Sequence, residues 1–326
     1  MESPDVEVFV ANMKASAASR EKAAMPFTTF WRQAQSWSRL TGPDSESYRD
    51  LVPAVVAATA ELEAVQRLRR HTGDEISESA IAPTSRALGS VNALWALVHV
   101  ASTDSMTVGL VPVAAYYAAY HALVAAREAE RGRLKDHAAA GAHAAHMTGR
   151  GLLPAPFDLI AVGSGPTTFK VRSGLGWVEP FAPVVPSGKH ITMPSTDAIA
   201  LDRVGQALMT TRREGRTPDY KGARRAGKPA KHDTTFVDWL FRLRHRAQYQ
   251  DVDPFTVGVA ADLDLRDFAH TLAWDATAFV TATLTSTALR LTVSEVAEVK
   301  RRVGVVSGKK ALAPVVATAL LAQRRP

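Results

Sequence analysis

Apolar side chains recur at three- and four-residue spacing along most of this chain, which is the period of an amphipathic helix. The segment 83–101 is apolar on nearly every side, which is typical of a helix surrounded by other helices. The pattern therefore predicts an all-α fold, in which helix 233–249 has Asp233 as its N-cap. The other predicted helices lie near 5–24, over 46–71, from Pro112 to Gly132, and over 133–148, 195–212 and 262–288.

Residues 149–194 interrupt the helical period. Pro and Gly punctuate this segment, and the short pieces FDLIAV, TFKVR and WVEPFAPVV between them are typical of β-strands. We therefore predict a small irregular insertion that contains a β-hairpin. A second irregular stretch, 212–232, consists mainly of Gly, Pro and basic residues and has almost no aliphatic side chains to bury. We expect it to form a mobile basic loop.

These boundaries divide the chain into three regions. Residues 1–80 form an N-terminal helical extension, and residues 81–290 form a helical bundle that the insertion 149–231 interrupts. Residues 291–326 form a basic C-terminal segment. For this segment the sequence allows either a short helix with a basic end or a tail.

Composition narrows the chemistry. Alanine accounts for 56 of the 326 residues, which favours helix because Ala loses the least entropy there. The absence of Cys excludes disulfides, thiolate nucleophiles and zinc–thiolate sites. No apolar run approaches the roughly 20 residues of a transmembrane helix, and the first residues are acidic where a secretory signal has Lys or Arg. We therefore predict a cytoplasmic protein with no membrane partner.

The positive charge of the chain is concentrated in two segments. The net charge is +7, but 203–246 alone holds 12 Lys and Arg against 4 Asp and Glu, and 300–326 holds 7 Lys and Arg and no acid. Basic segments of this kind either keep a loop solvated or neutralise the phosphates of a nucleic acid. For the second role the 212–232 loop offers Arg224, Arg225, Lys228 and Lys231.

Three histidines raise the question of a metal site. His143 and His146 are three residues apart, so they share a helix face, and His137 precedes them. Zinc would need a carboxylate or a water molecule to complete this set, whereas histidines on the polar face of an Ala-rich helix need no further ligand. We therefore predict no metal and no cofactor.

Two segments together resemble one protein family. The first, AAYYAAYHALVAAREAERG at 114–132, precedes a helix that carries His137, and the second is WLFRLRHRAQYQDVDPF at 239–255. Their order and helix types are similar to the two signature segments of HEPN domains. These are small helical bundles found in bacterial toxins, defence proteins and partners of minimal nucleotidyltransferases. Here the insertion separates the two segments further than is usual in that family.

The resemblance implies an antiparallel, HEPN-like helical bundle that pairs as a homodimer, and it implies an antitoxin or a nucleotidyltransferase as a partner. In the ribonuclease members of the family, an Arg of the second motif holds phosphate. A His four to six residues later acts on the 2′-hydroxyl or on the leaving group. Arg244 matches that Arg, His245 stands at a usual Asn, and Tyr249 stands where the His would be.

Tyr249 changes what the resemblance implies. A tyrosine, with a pKa near 10, is a poor proton shuttle at neutral pH compared with a histidine, whose pKa is about 6.5. The chain is therefore similar to the Tyr-ended, non-nuclease branch of the family. Two histidines could restore activity: His245 by turning into the same pocket, or His232 as part of a shifted motif with Arg225.

The first function that follows is binding of RNA, a nucleotide or another phosphate-rich partner. Arg244, Arg246, His245 and the 212–232 loop would contact the phosphates. The aromatic helix would supply a pocket formed by Tyr116, Tyr120 and His121.

Two alternatives remain open. One is a metal-independent endoribonuclease of a toxin–antitoxin or phage-defence system, with Arg244, His245 and Tyr249 as its catalytic residues. The other is a structural module whose basic segments contact an acidic protein. In that case the tyrosines would be packed aromatics, and Arg244 would pair with a carboxylate such as Asp238 or Asp251.

Overall fold

A computed structural model shows a mostly helical chain, which confirms the predicted all-α class. It describes residues 17–42, 48–68, 78–101, 105–162, 170–173, 176–178, 197–214, 232–250 and 265–306. Within these ranges the chain forms ten α-helices and three short strands. The helices are α1 (Ala17–Thr41), α2 (Tyr48–Ala60), α3 (Glu63–Gln66), α4 (Glu78–Ala101), α5 (Val111–Ala129), α6 (His137–Gly149), α7 (Asp197–Glu214), α8 (Phe236–His245), α9 (Leu265–Ala288) and α10 (Val293–Val306).

The middle of the bundle is built from α4, α5 and α9, which pack against one another. Five alanines on α5 are completely buried, and their small side chains let neighbouring helices approach closely: Ala115, Ala118, Ala119, Ala122 and Ala125. Buried threonines of α9 bond to the carbonyls of the preceding turn: Thr285 Oγ1 donates to Thr281 O at 2.8 Å and Thr287 Oγ1 to Thr283 O at 2.8 Å. These bonds allow a polar helix to lie in the core.

The stretch Thr107–Ala129, which includes α5, is long and apolar enough to cross a membrane by length and composition alone. The expectation that no apolar run approaches this length therefore does not hold for this stretch. Of its most apolar window, 56% is buried inside the protein. A helix that neighbouring helices bury in this way is typical of a protein core. A membrane-spanning helix with few neighbours would instead expose its side chains to lipid.

A cluster of aromatic side chains connects α1 to the second half of the chain. Trp37 of α1 packs against Phe157, Phe236 and Trp239, with ring centroids 6.1, 4.8 and 6.1 Å away. Trp239 Nε1 donates to Gln33 Oε1 at 2.7 Å, which satisfies a buried polar group. α1 therefore forms part of the same core as α8, and the helix predicted near 5–24 extends to Thr41. Residues 1–16 lie outside the described residues.

The predicted β-hairpin is present in the insertion. The strands are β1 (Ile160–Val162), β2 (Lys170–Ser173) and β3 (Gly176–Val178), which pair antiparallel in that order. An isolated antiparallel bridge connects Ala161 of β1 to Thr234, just before α8.

Asp233 is not the N-cap of α8, so that prediction is wrong. The backbone of Thr234 is held extended by two hydrogen bonds to Ala161, of 2.9 and 3.0 Å, and a helix cannot begin there. The cap is Thr235, whose backbone N–H donates to Asp238 Oδ2 at 2.8 Å in a capping box. The helix ends at His245, and a π-helical turn, Arg246–Gln250, follows it.

The C-terminal segment begins with a helix, which is one of the two alternatives that the sequence allowed. In α10, Arg302 forms ion pairs with Glu298 and with Glu78 of α4. Thr292 caps the helix: its Oγ1 accepts from Glu295 N at 3.1 Å, and Glu295 Oε2 accepts in turn from Thr292 N at 2.7 Å. Residues 307–326 lie outside the described part of the chain.

Candidate functional site

Arg244 of α8 lies over the aromatic rings of α5. Its guanidinium carbon is 4.9 Å from the ring centroid of Tyr117 and 5.3 Å from that of Tyr116. It is also 5.8 Å from Phe241, one turn earlier on α8. The Nε of Arg244 donates to Gln248 Oε1 at 3.1 Å. These distances are those of cation–π contacts, which hold the guanidinium plane while its remaining N–H groups can donate elsewhere.

No carboxylate pairs with Arg244 in the described part of the chain. Asp238, a candidate partner in the sequence, instead accepts from His232 and from Thr235. Asp251, the other candidate, lies outside the described residues. The charge of Arg244 is therefore held by aromatic rings and a neutral amide, without an anion from these residues.

His137, the first residue of α6, completes this group of side chains. Its Nδ1 lies 2.7 Å from the hydroxyl of Tyr116, which is only 1% exposed. Burial raises the pKa of Tyr116 well above its usual value, although Arg244 opposes this. Burial and then Arg244 lower the pKa of His137, against a weaker effect of Asp136. At neutral pH a neutral hydroxyl and a neutral imidazole therefore share this hydrogen bond.

The group reaches the protein surface on one side. Phe241 is 38% exposed, and Tyr117 and Tyr120 are partly exposed. The ring of Tyr120 lies 5.0 Å from that of His137. An arginine and several rings are thus accessible from solvent at one place. We call these side chains the Arg244 cluster: Tyr116, Tyr117, Tyr120, His137, Phe241, Arg244 and Gln248.

Arg246 does not lie beside Arg244, although the sequence predicted one anion site that contains both. Arg246 lies over the ring of Phe30 in α1, at 5.9 Å, and Arg242 lies over the same ring at 5.0 Å. Successive residues of a helix point about 100° apart, so positions 242 and 246 share a face that 244 does not. The pKa of His245, between the two faces, is lowered by burial, then by Arg244 and by Arg246.

His121 lies at the edge of the Arg244 cluster. Its Nδ1 is 2.7 Å from Ser90 Oγ of α4, while its ring lies 6.1 Å from Tyr117 and 5.8 Å from Tyr120. Of the predicted pocket, Tyr116 and Tyr120 are therefore central, and His121 is bonded to a neighbouring helix. The other predicted site residues are outside the described residues: the side chain of Tyr249, together with Arg224, Arg225, Lys228 and Lys231 of the loop.

Sequence reasoning missed Tyr117, Phe241 and Gln248 as members of the site. The three- and four-residue spacing of Phe241, Arg244 and Gln248 places them on one side of the predicted helix 233–249, so this signal was present in the sequence. In the sequence, His137 stood out as a candidate metal ligand and as part of the helix that follows the first HEPN-like segment, and not as a partner of Tyr116. No group of three or more metal-ligating side chains occurs among the described residues.

His232 forms a separate structural contact beside the cluster. Its Nε2 lies 2.9 Å from Asp238 Oδ1, and this hydrogen bond is the main reason why the pKa of His232 is raised. Arg212 Nη1 donates to the carbonyl of His232 at 2.8 Å, which ties the end of α7 to the start of α8. Helix α6 passes close to His232 at Gly141, because a Cβ added to this glycine would lie 2.6 Å from His232 Nε2. His232 thus packs against α6 and holds Asp238, the side chain that completes the capping box of α8.

Comparisons of the chain with protein-family models, with curated proteins and with solved structures found no match. The HEPN resemblance of the two segments therefore stays a prediction.

Proposed function

We propose that this protein binds RNA or a nucleotide through the Arg244 cluster. The observation that carries the proposal is an arginine held over aromatic rings, without a carboxylate partner among the described residues, at a place where the rings reach solvent. The remaining N–H groups of a guanidinium match the oxygen atoms of a phosphate, and exposed rings can stack against a nucleobase.

The position of the cluster also supports the proposal. α5 and α8 carry the two segments that resemble HEPN motifs, and the Arg244 cluster forms where these helices pack together. More specifically, we propose that the protein is a HEPN-like bundle that acts in a toxin–antitoxin or phage-defence system. In this proposal it forms a homodimer and binds an antitoxin or a nucleotidyltransferase.

The test is binding of a fluorescently labelled single-stranded RNA, and of a labelled nucleotide, measured by anisotropy over a series of salt concentrations. We expect Arg244→Ala to weaken binding about tenfold or more, since charge-assisted hydrogen bonds contribute about 1.5–3 kcal/mol. The slope of log affinity against log salt should fall by about 0.7 when one phosphate contact to a single strand is lost.

The matched control is Arg301→Ala. Arg301 is an exposed arginine of α10 that pairs with Glu298, so the variant changes the net charge equally without touching the cluster. The control should bind as the wild type does. Equal affinity of Arg244→Ala and the control would refute the proposal.

A second candidate function, metal-independent RNA cleavage, is favoured by one observation. The neutral imidazole of His137 lies in the same cluster as the Arg244 guanidinium. A neutral imidazole can take the proton of a 2′-hydroxyl, and a guanidinium stabilises the charge that develops on the phosphate. In this candidate function His137 takes the catalytic role for which the sequence offered His245 or Tyr249.

Cleavage of labelled RNA in the presence of EDTA tests this candidate. If His137 is the base, Arg244→Ala and His137→Gln should both abolish cleavage, whereas His245→Ala and Tyr249→Phe should retain it. Cleavage that depends on Tyr249 or His245 but not on His137 would instead assign the catalytic role to Tyr249 or His245. Binding without any cleavage would exclude the enzyme and leave the binding protein.

A further inference from the structure

A second group of basic side chains surrounds Glu130, at the end of α5. Glu130 Oε2 lies 3.2 Å from Arg127 Nη1, and Oε1 lies 2.9 Å from Arg290 Nη2 and 4.0 Å from Arg150 Nη1. The arginines come from α5, from the residue after α6 and from the turn after α9. Three guanidinium groups therefore converge on one carboxylate.

The charge of this group is not balanced by its described neighbours. Three arginines and one glutamate leave an excess of two positive charges. The side chains of Arg290 and Glu130 are largely buried, at 16% and 11% exposed, whereas those of Arg127 and Arg150 are 41% and 49% exposed and reach solvent. Burial lowers the pKa of Arg290, and Glu130 opposes this effect. The group therefore joins a largely buried ion pair to two arginines that an anion can approach from solvent.

His143 of α6 adds an unsatisfied hydrogen-bonding group. The residue is 6% exposed, and its Nε2 is buried without a hydrogen-bond partner in the described part of the chain. Its ring lies 6.4 Å from that of His146. Arg150 follows His143 by seven residues, about two helical turns, so both lie on one side of α6 and of its C-cap. Burial lowers the pKa of His143 to about 4, and the charges of Glu130, Arg127 and Arg290 also act on it. Buried polar atoms are nearly always bonded, so the orphan nitrogen indicates a missing partner.

Arg290 is only partly satisfied. Its Nη2 lies 2.9 Å from Glu130 Oε1 in an ion pair, but this buried nitrogen makes no aligned hydrogen bond within the described residues. One buried nitrogen of α6 thus lacks an acceptor, and one from the turn after α9 has only the carboxylate of Glu130 nearby. We call Arg127, Glu130, His143, Arg150 and Arg290 the Glu130 cluster.

We infer that the Glu130 cluster binds a phosphate group. A phosphate or phosphate monoester carries about −1.5 to −2 charges at pH 7, which matches the excess of two positive charges. Its oxygens accept from planar guanidinium groups in pairs, and one of them can accept from the imidazole N–H. The site is distinct from the Arg244 cluster, because His137 and Arg150 lie at opposite ends of α6, about 20 Å apart by the rise of a helix.

The phosphate has two chemical sources that an experiment can separate: free inorganic phosphate, and the monoester of a larger molecule. Isothermal titration calorimetry at constant ionic strength, with inorganic phosphate and with glycerol 3-phosphate, measures both. We expect saturable binding of at least one. Tighter binding of the ester would indicate that the site takes the phosphate of a larger molecule. Tighter binding of inorganic phosphate would indicate that it takes the free anion.

Two variants with opposite effects test the charge argument. The double variant Arg127→Gln/Arg150→Gln removes the excess charge, and we expect it to bind at least about tenfold more weakly. Glu130→Gln removes the competing carboxylate, and we expect it to bind more tightly than the wild type. If these residues had only a structural role, Glu130→Gln would not strengthen binding.

The controls are Arg301→Gln, which removes an exposed arginine, and Arg244→Ala, which disrupts the other cluster. Both should bind phosphate as the wild type does, and the ring signals of His143 in NMR spectra should shift on binding. Absence of saturable binding, unchanged affinity in the double variant, or weaker binding by Glu130→Gln would overturn the inference. None of these results would affect RNA binding at the Arg244 cluster.

Discussion

Asp275, in the middle of α9, gives a quantitative prediction about stability. Its side chain is completely buried, and neither carboxyl oxygen has a hydrogen-bond partner among the described residues. Burial alone raises the pKa of this carboxyl well above its usual value of 3.8. The folded protein therefore keeps Asp275 protonated at pH values where the unfolded chain has lost that proton.

The perturbation is Asp275→Asn, which keeps the shape of the side chain and removes its ionisation. Below pH 3.8, the group is neutral in both the folded and the unfolded wild type, and the variant should differ little in stability. Above that pH, folding of the wild type must take up a proton. This costs about 1.4 kcal/mol for each pH unit until the raised pKa is reached. The contribution of Asp275 to stability is thus greatest in acid and is lost as the pH rises.

Chemical denaturation followed by circular dichroism at several pH values between 4 and 8 measures this difference. We expect the free energy of unfolding of Asp275→Asn to exceed that of the wild type by an amount that grows with the stated slope. Asp267→Asn, at an exposed aspartate of the same helix, is the control and should show no such slope. Parallel stability curves for the wild type and Asp275→Asn would refute the reasoning.

Two further predictions concern the contact between α6 and α8. Gly141→Ala places a Cβ 2.6 Å from His232 Nε2 and 2.7 Å from Asp238 Oδ1, so we expect denaturation to show a loss of about 1–3 kcal/mol. Gly149→Ala, where a Cβ meets nothing within 4 Å, is the matched control and should be neutral or stabilising. Asp238→Asn should lower the pKa of His232 in an NMR titration, because the hydrogen bond to Asp238 raises that pKa. The pair therefore stabilises the fold below the ordinary pKa of His, about 6.5, and this contribution is lost as the pH rises through the raised value. An unchanged pKa of His232 would contradict this account.

Much of the fold was predictable from local patterns. Helical periodicity located most of the helices, and the strand-like pieces in the insertion identified the hairpin. The N-cap of α8 was predicted incorrectly. Asp233 satisfies the usual preference, but the bridge between Ala161 and Thr234 holds the chain extended and moves the start of the helix to Phe236. A contact distant in sequence thus overrides a local preference.

The candidate site was predictable only in part. Tyr116 and Tyr120 are four residues apart, so the sequence alone places them on one face of α5. Spacing within a helix says nothing about which residues of another helix approach that face. His137 joins Tyr116 through a hydrogen bond between two helices, and Phe241 joins both through ring contacts.

By itself, the sequence determined the helical class, the exclusion of thiol chemistry and the concentration of positive charge. These properties depend on residue type and on spacing along one chain. The tertiary structure decided which cations meet which partners. Arg244 lies over the tyrosines of α5, whereas Arg246 lies over Phe30 of α1, and three arginines distant in sequence meet at Glu130. The physical reason is that each residue of a helix turns its side chain by about 100°, and only the packing of neighbouring helices determines what each direction meets.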